Sequence, residues 1–309
     1  MLAVTDEPAT RARVRRGQWR AVVRRALSLP RGRVGLALVL FIVAVAAIGP
    51  FVAPHSPTES VTSPFASPSS QTVFGGDQLG RDVLSRVLFG GWVLLVMALA
   101  ATIFGVAVGA AAGVSAAYLQ GKADGLIMRT VDVILAFPQL VFALLLVSIL
   151  GPKLWLVVLA VGFSHAPQVA RVLRSAALDV SEREFVKAVE LLGVRRSAIM
   201  AKEILPNLIS PLMVEIGLRL TYSIVIISGL SFLGFGQPPP AANWGVMINE
   251  NRIGLVTNPW AVVVPAVMIA ILTIGTNTVT DAMARVAIGL DRGGEVPLTA
   301  VLPAAGGGQ

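Results

Sequence analysis

Six stretches of this chain are apolar and nearly free of charge, separated by short segments that hold most of its charged residues. Val34 to Ala53 carries no charge, and neither does the run from Val87 to Gly121. Further apolar runs cover about 133–150, 154–172, 208–234 and 260–281. About 20 helical residues cross roughly 30 Å of hydrocarbon. Lipid offers no partner to backbone N–H and C=O groups, so such runs must close their own hydrogen bonds as helices. A barrel strand alternates apolar and polar residues, whereas these runs are continuously apolar. The pattern predicts an all-α, polytopic membrane protein with six transmembrane helices, the second at about 93–117.

The remaining segments divide the chain. Residues 1–33 read as a basic tail and 34–53 as the first span. Residues 54–92 are an external loop rich in Pro, Ser and Thr that ends in a short interfacial helix. Residues 93–284 form a core of five spans with a charged helical loop over 176–206, and 285–309 a short tail. Within the second span Gly105, Gly109 and Gly113 recur at every fourth residue, a spacing that lets another helix approach closely. Ala44-Val45-Ala46 resembles a processing site, but the apolar run continues to Ala53 and is read as a retained span.

Charge settles the orientation. Lys and Arg number 20 in the N-terminal tail, the 118–130 turn, the 171–206 segment and the C-terminal tail, against four in the segments on the opposite side. Basic residues stay on the cytoplasmic face during insertion. Both termini are therefore expected in the cytoplasm of a bacterial inner membrane, and the net charge of +8 is a topology signal rather than a nucleic-acid footprint. Composition agrees: 14% of residues are charged, against about a quarter in soluble domains. With no cysteine and two histidines, His55 and His165, thiolate and clustered-histidine metal sites are excluded.

The only Gly-Lys pair, Gly121-Lys122, lacks the upstream glycine and the following Ser or Thr of a phosphate-cradling loop. Any ATP-driven step then belongs to another subunit. An ion-coupled secondary transporter is the competing mechanism and needs ionisable groups deep in the membrane. The candidates are Asp132, Asp281, the i,i+4 pair Glu215–Arg219, and His165, which is read as hydrogen-bonding a neighbouring helix. No broken span with a midplane acid is evident.

The most distinctive cytoplasmic segment is SEREFVKAVELLGVRRSAIMAKEILPNLISP, residues 181–211. Phe185, Val189 and Leu192 share one helical face, Gly193 ends the helix, and a second short helix leads to Leu205-Pro206. An apolar stripe without lipid to cover it calls for a protein partner, or for this chain's own helix ends.

This segment resembles the EAA loop of type I ABC importer permeases, E-A-A-x3-G-x9-I-x-L-P, through Lys187-Ala188-Val189, Gly193 and Leu205-Pro206. It departs from that pattern at Lys187, Val189 and Glu203, and the preceding Glu184-Phe185 also fits the family. FGGDQLGRDVLSRVLFG, residues 74–90, is similar to a signature of the C-type permease of oligopeptide, dipeptide and nickel importers, carried by Gly75, Asp77, Gly80, Arg81, Asp82, Ser85 and Arg86. SFLGFGQPPPAANWGVMINENR, residues 231–252, resembles the same family through Pro238, Pro239, Trp244 and Gly245.

The resemblance implies the type I importer permease fold. It implies a homologous B-type permease as heterodimer partner, two cytoplasmic ABC ATPase subunits or one fused ATPase, and an extracytoplasmic binding protein, all in a lipid membrane and without nucleic acid. It implies no cofactor and no catalysis in this chain, ATP and Mg being held by the ATPases. The 176–206 region would be the coupling loop, and the external motifs would receive substrate or, through Asp77, Arg81 and Asp82, cap an interfacial helix. A peptide cargo is implied first, with nickel or another small solute as the alternative. Reporter fusions after Gly121, Arg195 and Arg292 are expected to read cytoplasmic, and those after Ser69, Lys153 and Ala242 external. An external signal at Arg195 would remove the importer reading.

Overall fold

The computed structural model describes residues 22–151, 153–237 and 240–288. A short helix, α1, covers 22–28. The others are α2 (Pro30–Val52), α3 (Val83–Leu119), α4 (Gly121–Leu135), α5 (Gln139–Leu150), α6 (Leu154–Ser181), α7 (Glu184–Leu191), α8 (Arg196–Ile199), α9 (Ile209–Leu230), α10 (Trp244–Asn251) and α11 (Trp260–Ile288). Among the described residues the only β pairing is two isolated bridges, Ser60–Arg81 and Gly76–Asp82. Five helical runs are long and apolar enough to cross a membrane, and α4 with α5 makes a sixth crossing only as a bent pair.

Local chemistry moved several boundaries from those expected. Pro30 sets the start of α2 at its first turn, four residues ahead of Val34. The Asp82 side chain accepts from Ser85 N and starts α3 at Val83, so the expected interfacial helix and the span from 93 are one 37-residue helix. The fourth span continues to Ser181 and the sixth to Ile288. The fifth crossing is a helical run from Arg196 to Phe235, so the second coupling-loop helix is its continuation. A wide turn over Met200–Ile204 and a tight one over Leu205–Leu208 accommodate Pro206, which has no N–H to donate. Inside the 236–258 loop lies α10, capped by Asn243, whose side chain accepts from the N–H groups of Gly245 and Val246.

The largest correction concerns the third span. It is broken at Ala136–Pro138, with 89° between α4 and α5. Pro138 precedes α5, and its ring disfavours helical backbone in Phe137. The 12 residues of α5 reach about 18 Å, too short to cross alone.

The frame is the pairing of α3 with α6. A side chain at Gly105, Gly109 or Gly113 would meet the carbonyl oxygens of Gly162, Ala166 and Ala170 at 2.4, 2.5 and 2.4 Å respectively. The constant offset means the two helices run parallel, with small residues at every fourth position on both sides. Around this seam lie two buried apolar clusters. One includes Ile42, Val83, Leu94, Ile227 and Trp244, and the other Val114, Leu173, Val186, Ile199 and Leu208.

Trp92, Trp155 and Trp260 are exposed near the starts of α3, α6 and α11, where amphipathic indoles favour a membrane interface. Ten residues further on lie Thr102 and His165, about 15 Å deeper and so near the middle of the hydrocarbon. The end bearing these tryptophans is called the Trp end, and the opposite end, with α7, the far end. Gly109→Val is expected to destabilise the fold by about 1–3 kcal/mol through overpacking against α6. Gly125→Val, with nothing within 4 Å, should change stability by less than about 0.5 kcal/mol. Thermal unfolding in detergent compares the two.

Candidate functional site

At the Trp end the 74–90 and 231–252 motifs fold onto each other. The chain leaves α2 through a loop whose turns need positive φ at Gly75 (75°) and Gly80 (74°). A Cβ there would sit 2.1 Å from Ala66 O or 2.0 Å from Thr62 O. These turns aim Asp77 inward, where Oδ1 accepts from the N–H groups of Leu79 and Arg81 at 2.8 and 2.9 Å. Its Oδ2 meets Arg81 Nε at 2.6 Å and Arg86 Nη1 at 2.5 Å. Glu250 of α10 completes the group, its Oε2 lying 3.1 Å from Arg81 Nη2 and 3.0 Å from Arg86 Nη1. Asp77, Arg81 and Arg86 are buried, Asp77 and Arg86 completely, and the Glu250 side chain keeps only 8% exposure. Two cations and two anions neutralise each other, which is what allows charge to persist away from water.

The neighbouring motif residues have structural partners too. Asp82 accepts from Ser85 N and Oγ at 2.9 and 2.6 Å, and Ser85 Oγ accepts from His55 N at 3.0 Å. Trp244 donates its indole N–H to Val87 O at 2.8 Å, with its ring against Gly90 and Gly91. Gly245 leaves room for Ser228 O, which a Cβ would meet at 2.7 Å. Pro238 and Pro239 lie outside the described residues. The arrangement is a strut tying the 54–82 loop, α3 and α10 together. Of the two sequence readings, Asp82 does cap a helix, but that helix is α3 itself.

Sequence reasoning missed Glu250, Asn251 and Asn258. Asn251 Oδ1 accepts from Gln78 N at 2.9 Å, and Asn258 Nδ2 donates to Phe74 O and Gly76 O at 3.0 Å. One signal was available: Glu250 is the only acid between Glu215 and Asp281.

At the far end α7 carries the Glu184–Leu191 part of the segment expected to be a coupling loop. Glu184 occupies its first turn, where a negative charge suits the helix dipole. Phe185, Val186 and Val189 turn toward this chain's own core, with Val186 fully covered. The exposed side instead presents Lys187, Ala188, Leu191 and Leu192, the two leucines at 90% and 80% exposure. The expected stripe of Phe185, Val189 and Leu192 is thus divided, because its first two members pack into the far-end cluster while Leu192 stays outside. Gly193 has φ 73°, and a Cβ placed on it would meet nothing within 4 Å, so it serves the turn and not a close contact. Leu205 and Pro206 lie in the tight turn entering α9, Leu205 against the same far-end cluster.

Between the two ends runs a polar chain. His165 Nδ1 is hydrogen-bonded by Gln139 of α5, and His165 Nε2 lies 2.9 Å from Ser223 Oγ of α9. Ser223 Oγ is 3.2 Å from Thr102 Oγ1, which donates to Ala98 O at 2.7 Å. His165 therefore links helices, as expected. Glu215 and Arg219 are buried and 3.1 Å apart, and the Arg219 guanidinium sits 5.3 Å from the Tyr222 ring centre. Asp132 pairs with Arg171 at 2.5 Å on an exposed surface.

Two family descriptions match the sequence. Residues 105–287 match the binding-protein-dependent transport system inner membrane component, and residues 17–69 the N-terminal transmembrane domain of oligopeptide transport permease C. A putative peptide transport system permease protein of Brucella suis is 34% identical over 252 residues, covering 81% of this chain and 85% of that protein. The dipeptide transport system permease protein of Bacillus subtilis is 32% identical over 267 residues, covering 86% and 82%. A glutathione transport system permease protein of Escherichia coli is 36% identical over 216 residues, covering 70% and 71%.

Removing one member of the outer charge group leaves the other three unbalanced and buried. Glu250→Ala is expected to cost about 3–5 kcal/mol. Adding Arg81→Leu should recover part of that loss, giving a favourable coupling in a double-mutant cycle read from thermal unfolding. Additive losses would mean the group is not one unit.

Proposed function

The chain belongs to the family of binding-protein-dependent transport system inner membrane components, and from that premise we propose that it is the C-type permease of an ATP-driven peptide importer. In this reading it forms half of the translocation pathway, with a homologous B-type permease forming the other half. Two ABC ATPase subunits, or one fused ATPase, dock at the far end, and a binding protein delivers cargo at the Trp end. The excess of Lys and Arg at the far end supports a cytoplasmic location for that end and for both termini, in a bacterial inner membrane.

The observation that carries the reading is the exposed end of α7. Ala188, Leu191 and Leu192 stand at the far end of the molecule, on a helix whose other side is anchored in the core. Exposed leucines without lipid or intrachain cover are suited to a protein contact. The anchored side gives that contact a mechanical path, because Val186 packs in the same cluster as Val114 of α3, Leu173 of α6 and Leu208 at the foot of α9. A push on α7 is delivered to three helices at once. Lys187 stands where the family usually has an acid, so docking here would rest on the apolar contact.

The relatives' named cargoes, a dipeptide and glutathione among them, are short peptides, which favours peptide over nickel or another small solute. An ion-coupled mechanism draws less support, since Glu215 and Arg219 are committed to each other as an ion pair.

Gly193→Val tests the reading. Valine pays roughly 1 kcal/mol or more at positive φ, and with open space around it the change acts only on the turn that positions Leu191 and Leu192. Insertion and pairing with the second permease should persist, while ATPase co-purification weakens and transport is lost. Ala188→Asp should do the same from an exposed position, with unchanged thermal stability of the chain alone. Normal ATPase capture and transport by both variants would overturn the coupling role, and proton- or sodium-driven uptake by the lone chain would overturn the importer reading.

A further inference from the structure

α4 differs from every long helix around it in how it is held. The α3–α6 frame is locked by backbone contacts along Gly105, Gly109 and Gly113, which leave no room for sliding. By contrast, the one buried residue of α4 is Val131, while Leu126 and Val133 are 70% and 63% exposed. Ile127, Met128, Ile134 and Leu135 are half-buried, and two ion pairs clasp α4 to the frame. Arg174 of α6 donates from Nε and Nη2 to the two carboxylate oxygens of Asp124 at 2.6 and 2.5 Å. Arg171 donates to Asp132 at 2.5 Å, in a pair that is more than half exposed on both sides. Pairs of this kind are the most easily exchanged for water or another partner.

Both ends of α4 are joints. At its start Gln120 has φ 50°, a left-handed conformation uncommon for a residue with a side chain, and Gly121 follows at φ 57° with nothing within 4 Å. At its finish the backbone breaks over Ala136–Pro138 and turns 89° into α5. Beyond that break the chain is fixed again, because Gln139 is tied to His165 and, at 3.4 Å, to Ser164 Oγ. α4 is therefore a rigid rod of 15 residues, about 22 Å, between two bends. Its fixed post at Gln139 lies at the level of Thr102 and His165, near the middle of the hydrocarbon, and its clasp to Arg171 and Arg174 lies toward the far end.

We infer that α4 is a hinged gate bar, which closes the far half of the pathway when clasped to Arg171 and Arg174 and swings out about Gln120–Gly121 and Ala136–Pro138 during transport. The inference rests on the importer reading above. It adds a moving part within one chain, where rigid-body rocking of the two permeases would need none. Arg171 and Arg174 are positioning residues in this scheme, and the aspartates are their releasable partners.

The chain has no cysteine, so the test can be made in the complete complex in liposomes. Asp124→Cys with Arg174→Cys, and separately Asp132→Cys with Arg171→Cys, are joined by a short thiol-specific cross-linker. The cross-linked complexes should keep both permeases and the ATPase but lose peptide transport, and cleaving the linker should restore it. A spin label at Leu126→Cys, paired with one at Leu159→Cys on α6, should report a shift of about one helical turn, ~5 Å, between nucleotide-free and nucleotide-trapped states. That pair leaves the clasp intact, so it remains informative if the clasp variants fail to assemble. Full transport by a cross-linked complex, or an unchanged Leu126–Leu159 distance in a transporting one, would overturn the gate bar and leave the importer reading standing. Absence of ATP-driven transport by the complex without cross-links would overturn the reading beneath it.

Discussion

Helices in lipid gain nothing from hiding apolar side chains from one another, so their association depends on how closely their backbones can approach. In this protein that approach is made by α3 and α6, where Gly105, Gly109 and Gly113 meet the carbonyls of Gly162, Ala166 and Ala170. The rest of the molecule is arranged on this seam. Because the two helices run parallel and are longer than the hydrocarbon is thick, they support the charged strut at the Trp end and α7 at the other. α9 joins the pair through Ser223, and α5 through Gln139, both by way of His165.

The two ends solve different problems. At the Trp end a long loop must hold a fixed shape without a large apolar core. It does so with a neutral group of two arginines and two acids, backed by asparagines that bond main-chain groups of the loop. Such a group favours one arrangement strongly, since any displacement leaves a buried charge without its partner. At the far end α7 keeps one side in the core while leaving Leu191 and Leu192 outside. One end is thus held rigidly by paired charges, and the other is anchored on one side and exposed on the other.

Much of the architecture was legible in the sequence, because lipid imposes its constraints locally. An uncharged run of some 20 residues must be a helix wherever it occurs, and the bias of Lys and Arg toward alternate connecting segments can be counted without knowing any contact. The four-residue glycine spacing in α3 also pointed to a close neighbour, for the same reason: one helix face is set by 3.6 residues per turn. The motifs around Asp77, Lys187 and Trp244 led to a family that the comparisons bear out.

What the sequence left undecided depends on groups far apart in the chain. Hydropathy reads Phe137-Pro138-Gln139 as part of an apolar run, since a proline ahead of a helix costs no apolar character; only the bend shows that α5 begins in mid-membrane. Asp77, Arg81 and Arg86 lie close together in the chain, but their partner Glu250 comes from 164 residues beyond Arg86 and no local pattern points to it. Periodicity placed Phe185 and Val189 on one face of α7, but that this face is the covered one follows from the far-end cluster that the other helices build around it. Backbone self-satisfaction is a property of single segments, so the sequence alone determined which runs are helices. Pairing, bending and exposure are properties of segments meeting, and those only the tertiary structure decided.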